Sequence, residues 1–323
     1  MIKQLQQQVE EQVASLNWSM EPKGLYEPID YVLSLGGKRI RPVLTLLACE
    51  LFGGDKQQAV STALAIEVFH NFTLLHDDVM DRADTRRGKA TVHKKWNDNT
   101  AILSGDAMLI KAYQLLQQAP ADKLPELLAL FSQTAVEVCE GQQYDVDFEN
   151  SLEVTLDDYI EMIRLKTAVL LAASLKMGAI IGGATPQDAQ ALYDYGINLG
   201  LAFQLRDDYL DSFGDAAVFG KKIGGDICCN KKTFLMITAL QASSEEDRKQ
   251  LQQWMRINDT NCFEQKVAAV LDLYKKCQVD IRCEEAIQKY FAKSVECVKN
   301  TQLTDNKKDI LIQFAEKLMG RNK

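Results

Sequence analysis

The chain has 323 residues, a formal net charge of −8, 46% hydrophobic and 25% charged residues, values that exclude collagen-like, mucin-like and disordered classes. With 45 acids against 37 lysines and arginines, it lacks the basic face of a nucleic-acid reader, so an anionic ligand must be met by local basic clusters. The length suggests two domains at about 150 residues each, a prior that one large helical domain can override.

The opening MIKQLQQQVEEQVASL has polar residues every two or three positions. It offers neither the apolar core of a signal peptide nor a run of about 20 residues that would span a membrane, and a cytoplasmic chain is expected. Prolines stand only at 22, 28, 42, 120, 125 and 186, which leaves 43–119 and 187–323 open to long helices. Apolar residues recur there at helical spacing: Leu64, Val68, Leu75 and Val79, then Leu192, Tyr195, Leu199, Ala202, Phe203 and Leu210. Thr155 followed by Asp158 has N-capping chemistry and predicts a helix from Tyr159 to Ile181. Gly36-Gly37, Gly53-Gly54, Gly182-Gly183 and Gly214 punctuate these runs, and strand-like alternation is hard to find. The pattern predicts an all-α bundle of ten or so helices. No stretch has linker composition, so a single domain over 1–323 is expected. The eight cysteines form no CxxC pair and no zinc-like spacing with histidine, and are expected to be unpaired, buried filler in a reducing compartment.

Two segments share the pattern L-x-D-D-x-x-D: Leu75 to Asp81 and Leu205 to Asp211. On a helix the first, second and fifth positions of D-D-x-x-D fall at about 0°, 100° and 40°, so three carboxylates fan over a narrow face. Crowded negative charge toward a helix C-terminus opposes the macrodipole, and something cationic should compensate it. Hard carboxylate oxygens suit Mg²⁺ bound together with substrate phosphates. One such motif alone reads as a solvated acidic helix end. Four basic groups argue otherwise: Lys38, Arg39 and Arg41 in GGKRIRP, Arg86 and Arg87 in TRRGK, Lys166 before Thr167, and Lys221, Lys222, Lys231 and Lys232 in GKKIGGDICCNKKT. Together with the acid fans they suit a polyphosphate bridged by metal ions.

In order and spacing, GGKRIRP, HNFTLLHDDVMDRADTRRG, Lys166-Thr167, FQLRDDYLD and GKK…NKKT resemble the trans-isoprenyl diphosphate synthases, or polyprenyl synthetases, over roughly residues 25 to 235. The resemblance implies an all-α fold of ten or more helices around a deep central cavity, a homodimer, and two aspartate motifs facing each other across the cavity mouth. It implies that Asp77, Asp81 and Asp207 are the main ligands of three Mg²⁺ ions on an allylic diphosphate, with Asp78, Asp208 and Asp211 in support. Arg86, Lys166, Thr167, Gln204 and Lys221 would hold that diphosphate. Lys38, Arg41, His70 and Arg87 would hold the diphosphate of isopentenyl diphosphate, with Gly37 permitting close approach and Lys231 near the mouth; Arg39 and Lys222 are support. The allylic partner would be dimethylallyl, geranyl or farnesyl diphosphate, ionised in a water-excluding pocket and attacked by the isopentenyl double bond.

Product length has a local geometric reading. Phe72 lies five residues before Asp77, about 7.5 Å along the helix, and Phe69 about 12 Å, so a growing tail meets Phe72 early while Phe69 reads as core. With small Thr73 beside it and no insertion in the first motif, the pattern resembles geranylgeranyl- or farnesyl-type enzymes. Three rivals are weaker. Glu67-Val68-Phe69-His70 is a di-iron-type E-x-x-H without a second copy. A metal phosphohydrolase built on His76-Asp77 leaves the second motif idle, and a terpene cyclase has no use for an isopentenyl diphosphate pocket. Within the family, a non-catalytic partner subunit or a longer-chain synthase is the alternative. Residues after about 240 carry no cluster tied to chemistry.

Overall fold

The computed structural model describes residues 1–151, 153–214, 223–257, 259 and 262–320. Its α-helices are α1 (Ile2–Ala14), α2 (Lys23–Ser34), α3 (Ile40–Leu51), α4 (Val60–Met80), α5 (Val92–Lys95), α6 (Asp98–Leu116), α7 (Leu124–Asn150), α8 (Leu156–Ile163), α9 (Val169–Ile181), α10 (Pro186–Phe213), α11 (Gly225–Cys228), α12 (Phe234–Ala242), α13 (Glu245–Met255), α14 (Phe263–Lys276), α15 (Val279–Lys299) and α16 (Asp305–Met319). The fold is all-α, as the periodicity predicts. One departure is a two-residue hairpin, β1 (Thr85–Arg86) with β2 (Lys89–Ala90), too short to leave an alternating signal.

Contacts divide the chain into two compact units, Met1–Ser132 with Ala173–Gln190, and Gln133–Ala172 with Ala191–Lys323. Each is discontinuous in sequence, which is why no linker composition marks a boundary.

In the first unit α4 is the axis. It is buried on nearly every side from Val60 to Phe72, as expected of a helix that is apolar all round, and packs against α1, α2, α3, α5 and α6. Small residues set the closest approaches. A Cβ on Gly178 would lie 2.1 Å from the Thr45 carbonyl oxygen, so α9 and α3 meet backbone to backbone. A Cβ on Gly105 would lie 2.2 Å from His76 Nε2; the imidazole fills that slot and its Nε2 is 3.1 Å from the Ile102 carbonyl.

In the second unit α10 lies close on the segment 168–172, where a Cβ on Gly200 or Gly196 would come within 2.6 Å of the Ala168 Cα or 2.4 Å of the Ala172 Cα. The expected single helix from Tyr159 to Ile181 needs correction. The Thr155–Asp158 capping box is present, but the helix begins at Leu156 and is interrupted by a π-helical turn, Arg164–Ala168. Such turns carry no sequence period and often mark functional sites; this one carries Lys166 and Thr167. The C-terminal helices brace α10: Arg206 forms a two-pronged pair with Glu284 of α15 at 2.8 and 2.9 Å, and the Tyr195 hydroxyl donates to the Leu311 carbonyl of α16 at 2.9 Å.

The cysteine expectation holds only in part. All eight are free, and Cys49 and Cys283 are buried, but Cys139 and Cys229 are exposed on helix surfaces or ends.

Candidate active site

One candidate cluster, in the first unit, stands at the C-terminal end of α4. Asp77 and Asp81 are one turn apart, joined by the helical bond from the Asp81 amide to the Asp77 carbonyl at 2.8 Å. Asp78, about 100° round the helix, turns inward and is 4% exposed. Arg86, on β1, reaches back to both: its Nε donates to Asp78 Oδ1 at 2.8 Å and its Nη2 to Asp77 Oδ2 at 3.3 Å. Burial raises the Asp78 pKa from its ordinary value, and Arg86 opposes that shift.

Beside these acids in the same unit lies a cluster of cations. Arg41 Nη1 donates to His70 Nε2 at 3.1 Å, so the imidazole nitrogen facing it is an acceptor. Burial, followed by the nearby Arg41, Arg87 and Arg86, lowers the His70 pKa well below its ordinary value. His70 is therefore neutral at pH 7 and brings no charge of its own to Arg41, which feels Glu67. Burial lowers the Arg41 pKa to about 10, and its Nε is buried without a hydrogen-bond partner. The Arg87 guanidinium lies against Gly37, where a Cβ would stand 2.9 Å from Nη2. Gly37 has φ 153°, inside the range that favours glycine. Lys38, beside it, is exposed.

Phe72 and Phe69 follow on α4. The Phe72 ring packs edge-on against His76 at 4.8 Å and tilted against Phe69 at 5.5 Å, and Phe69 packs edge-on against Phe131 at 5.3 Å. Phe69 is 1% and Phe72 8% exposed, so Phe69 is core and Phe72 the more accessible ring. The Thr73 hydroxyl donates to the His70 carbonyl at 2.8 Å and presents little bulk.

A second cluster, in the second unit, is built on α10 and the π turn. The Lys166 ammonium donates to Asp145 of α7 at 2.6 Å, and the Thr167 hydroxyl to Gln204 Oε1 at 3.3 Å. Gln204 in turn donates from Nε2 to Asp208 Oδ1 at 3.1 Å, and the Tyr159 hydroxyl donates to Asp208 Oδ2. Asp208 is 4% exposed, and burial pushes its carboxyl up to about 8. Asp207, the preceding residue, is half-buried. Asp211 Oδ2 accepts from the Asp226 amide at 3.0 Å, fastening the motif's last acid to α11. Lys231 is exposed, while Lys232 donates to the carbonyls of Phe148 and Glu149, the latter at 2.9 Å. Lys221 and Lys222 lie outside the described residues.

Asp78 and Asp208, read as supporting metal ligands, are both buried and held by the protein's own side chains. Among the described residues no three His, Cys, Asp or Glu side chains stand preassembled as a metal cage. The donors at both motifs are hard carboxylate oxygens, and this set fits Mg²⁺, which keeps waters and takes substrate phosphate oxygens. Glu67 accepts from Arg39 Nη1 at 2.6 Å and from Asn71 Nδ2 at 2.9 Å, so the E-x-x-H is an anchor of the basic loop and not half of a di-iron site.

Sequence reasoning missed Tyr159, Asp145 and the Glu67–Arg39 pair. A buried tyrosine among Leu156–Ile163 looks like ordinary core, and an acid one turn past Gly141 in α7 looks like surface. No helix among the described residues is long and apolar enough to cross a membrane.

A family model for polyprenyl synthetase matches residues 22–274. The chain is 42% identical over 256 residues to a short chain isoprenyl diphosphate synthase of Methanothermobacter thermautotrophicus, covering 79% of this chain and 78% of that one. It is 36% identical over 276 residues to a geranylgeranyl diphosphate synthase of Sulfolobus acidocaldarius, covering 84% and 83%. A crystal structure of a geranylgeranyl pyrophosphate synthase superposes with a TM-score of 0.94 at 45% identity, covering 100% of this chain and 99% of that one.

Proposed function

Because the chain belongs to the polyprenyl synthetase family, we propose that it is a trans-prenyltransferase that joins isopentenyl diphosphate head to tail to an allylic diphosphate, with geranylgeranyl diphosphate as its principal product. The observation that carries this reading is the group of Arg41, neutral His70 and Arg87 against Gly37, beside the first aspartate motif. A part-buried guanidinium with an orphaned Nε and a neutral neighbour calls for an anion, and Arg87 adds a second cation close to the same imidazole. Neither a terpene cyclase nor a phosphohydrolase needs a second diphosphate pocket next to its acids.

Asp77, Asp81, Asp207 and Asp211 would hold Mg²⁺, which supplies Lewis-acid charge to a departing diphosphate when bound. Arg86, Lys166, Thr167 and Gln204 bind and orient the allylic diphosphate, and Lys38, Arg41 and Arg87 fix the isopentenyl diphosphate for attack. Phe72 and its neighbours exclude water from the tail and limit its length. No side-chain base is required, since the released diphosphate can take the proton lost after condensation. A second copy of the chain is the proposed partner: α6 exposes Ile102, Leu103 and Ile110 at 42%, 60% and 59%, more apolar surface on one helix than a solvated face carries.

The pocket assignment is tested by calorimetric titration of isopentenyl diphosphate into the protein without an allylic partner. Binding that Arg41→Met weakens by tenfold or more supports it, and equal binding to both proteins contradicts it.

A further inference from the structure

Residues before 22 lie outside the family match, and the mechanism gives them nothing to do. Helix α1 nevertheless reaches the basic loop. Leu5, Val9 and Val13 are buried and seat the helix, and Glu10, next to Val9, points its carboxylate at Arg39, where Oε1 accepts from Nε at 3.2 Å. Arg39 is itself 4% exposed and makes two further bonds, from Nη1 to Glu67 at 2.6 Å and from Nη2 to the Leu33 carbonyl at 2.6 Å. One guanidinium thus ties α1, α2 and α4 together.

The backbone at Arg39 explains the need for three tethers. Its φ is 47°, and it follows Gly36 at 73° and Gly37 at 153°. A non-glycine residue in the left-handed region persists where its surroundings over-determine it. Lys38 precedes Arg39 and Arg41 follows two residues later, so the conformation held at Arg39 sets where both phosphate-binding cations stand.

We propose that Arg39 is the positioning residue of this loop and Glu10 its outer anchor, so that α1 sets the affinity for isopentenyl diphosphate without touching it. The inference rests on the assignment of Lys38, Arg41 and Arg87 to that substrate. It makes a prediction of sign that charge alone does not. Deleting a carboxylate near a cation cluster raises the local positive potential and, by itself, tightens binding of a diphosphate. Loosening the loop weakens it.

Steady-state kinetics of Glu10→Ala and Glu10→Gln in the full-length chain decide between the two. The Glu10 side chain is 42% exposed, so neither substitution threatens the fold, and a pair with its acid at the surface sets the scale at about two- to fivefold. Glu10→Ala is expected to raise KM for isopentenyl diphosphate by that factor, with kcat and KM for the allylic substrate unchanged. Glu10→Gln, whose Oε1 can still accept from Arg39, is expected to recover most of the loss. Arg39→Lys, which cannot hold three acceptors in one plane, should raise the same KM by more than tenfold. An unchanged or lowered KM in Glu10→Ala, or equal increases for both substrates, overturns the inference alone. A wild-type protein that neither binds nor turns over isopentenyl diphosphate overturns it together with the assignment beneath it.

Discussion

The Tyr159 hydroxyl donates to Oδ2 of Asp208, and with Gln204 on Oδ1 at 3.1 Å both oxygens of this buried carboxylate are held by the protein. Asp78 in the first motif has the same character, being buried and grasped by Arg86. In each D-D-x-x-D the middle acid turns toward the protein, as its 100° offset on the helix dictates, and fixes the helix end from which its neighbours act. Tyr159→Phe leaves a buried acceptor without its donor, which costs about 1–3 kcal/mol. A lowered denaturant midpoint at unchanged slope is expected; an unchanged midpoint contradicts the role given to Tyr159.

Asp77 and Asp207 are assigned to the metal-bound diphosphate itself. Asp77→Ala and Asp207→Ala should each lower kcat by orders of magnitude in saturating Mg²⁺, and Asp78→Asn by less, since an amide oxygen can still accept from Arg86. Near wild-type turnover in either alanine variant removes the metal assignment.

Arg87 belongs to the cluster with Gly37, Arg41 and His70. Arg87→Ala is expected to raise KM for isopentenyl diphosphate well above any change in KM for the allylic diphosphate. The reverse order would exchange the two substrate assignments.

Phe72 is backed by Phe69, and Phe69 by Phe131. Phe72→Ala should therefore lengthen the product, but only by the space of one ring, before the tail meets Phe69. Chromatography of the dephosphorylated products measures this. An unchanged product returns Phe72 to the core, and much longer chains show that Phe69 is no wall.

Gly141 lies under the π turn, where a Cβ would be 2.3 Å from the Lys166 amide nitrogen. Backbone cannot yield as a flexible side chain does, so Gly141→Ala should both destabilise the protein by about 1–3 kcal/mol and raise KM for the allylic diphosphate by displacing Lys166 and Thr167. Thermal denaturation and steady-state kinetics read the two effects; a variant with wild-type values for both shows that the turn is not held from below.

Much of this was legible in the sequence because periodicity and motif spacing are local. The helices around Leu64 to Val79 and Leu192 to Leu210, the acid fans they end in and the capping at Thr155 all follow from residues a turn or two apart. Relationships across long separations were not legible. Tyr159 with Asp208, Lys166 with Asp145 and Arg39 with Glu10 each join residues whose types, read singly, suit a core or a solvated surface. The π turn left no trace because one extra residue in a helical turn changes no composition. The brace from Arg206 to Glu284 gives the C-terminal helices a purpose that their own sequence, amphipathic and without motif, did not declare.

The central claim, prenyl transfer onto an allylic diphosphate, is tested most directly by incubating the purified chain with labelled isopentenyl diphosphate, Mg²⁺ and, separately, dimethylallyl, geranyl and farnesyl diphosphates, then resolving the dephosphorylated products. Condensation giving chiefly a twenty-carbon alcohol is the predicted result. No condensation with any of the three starters, from folded protein, would contradict the account and leave a non-catalytic partner subunit in its place.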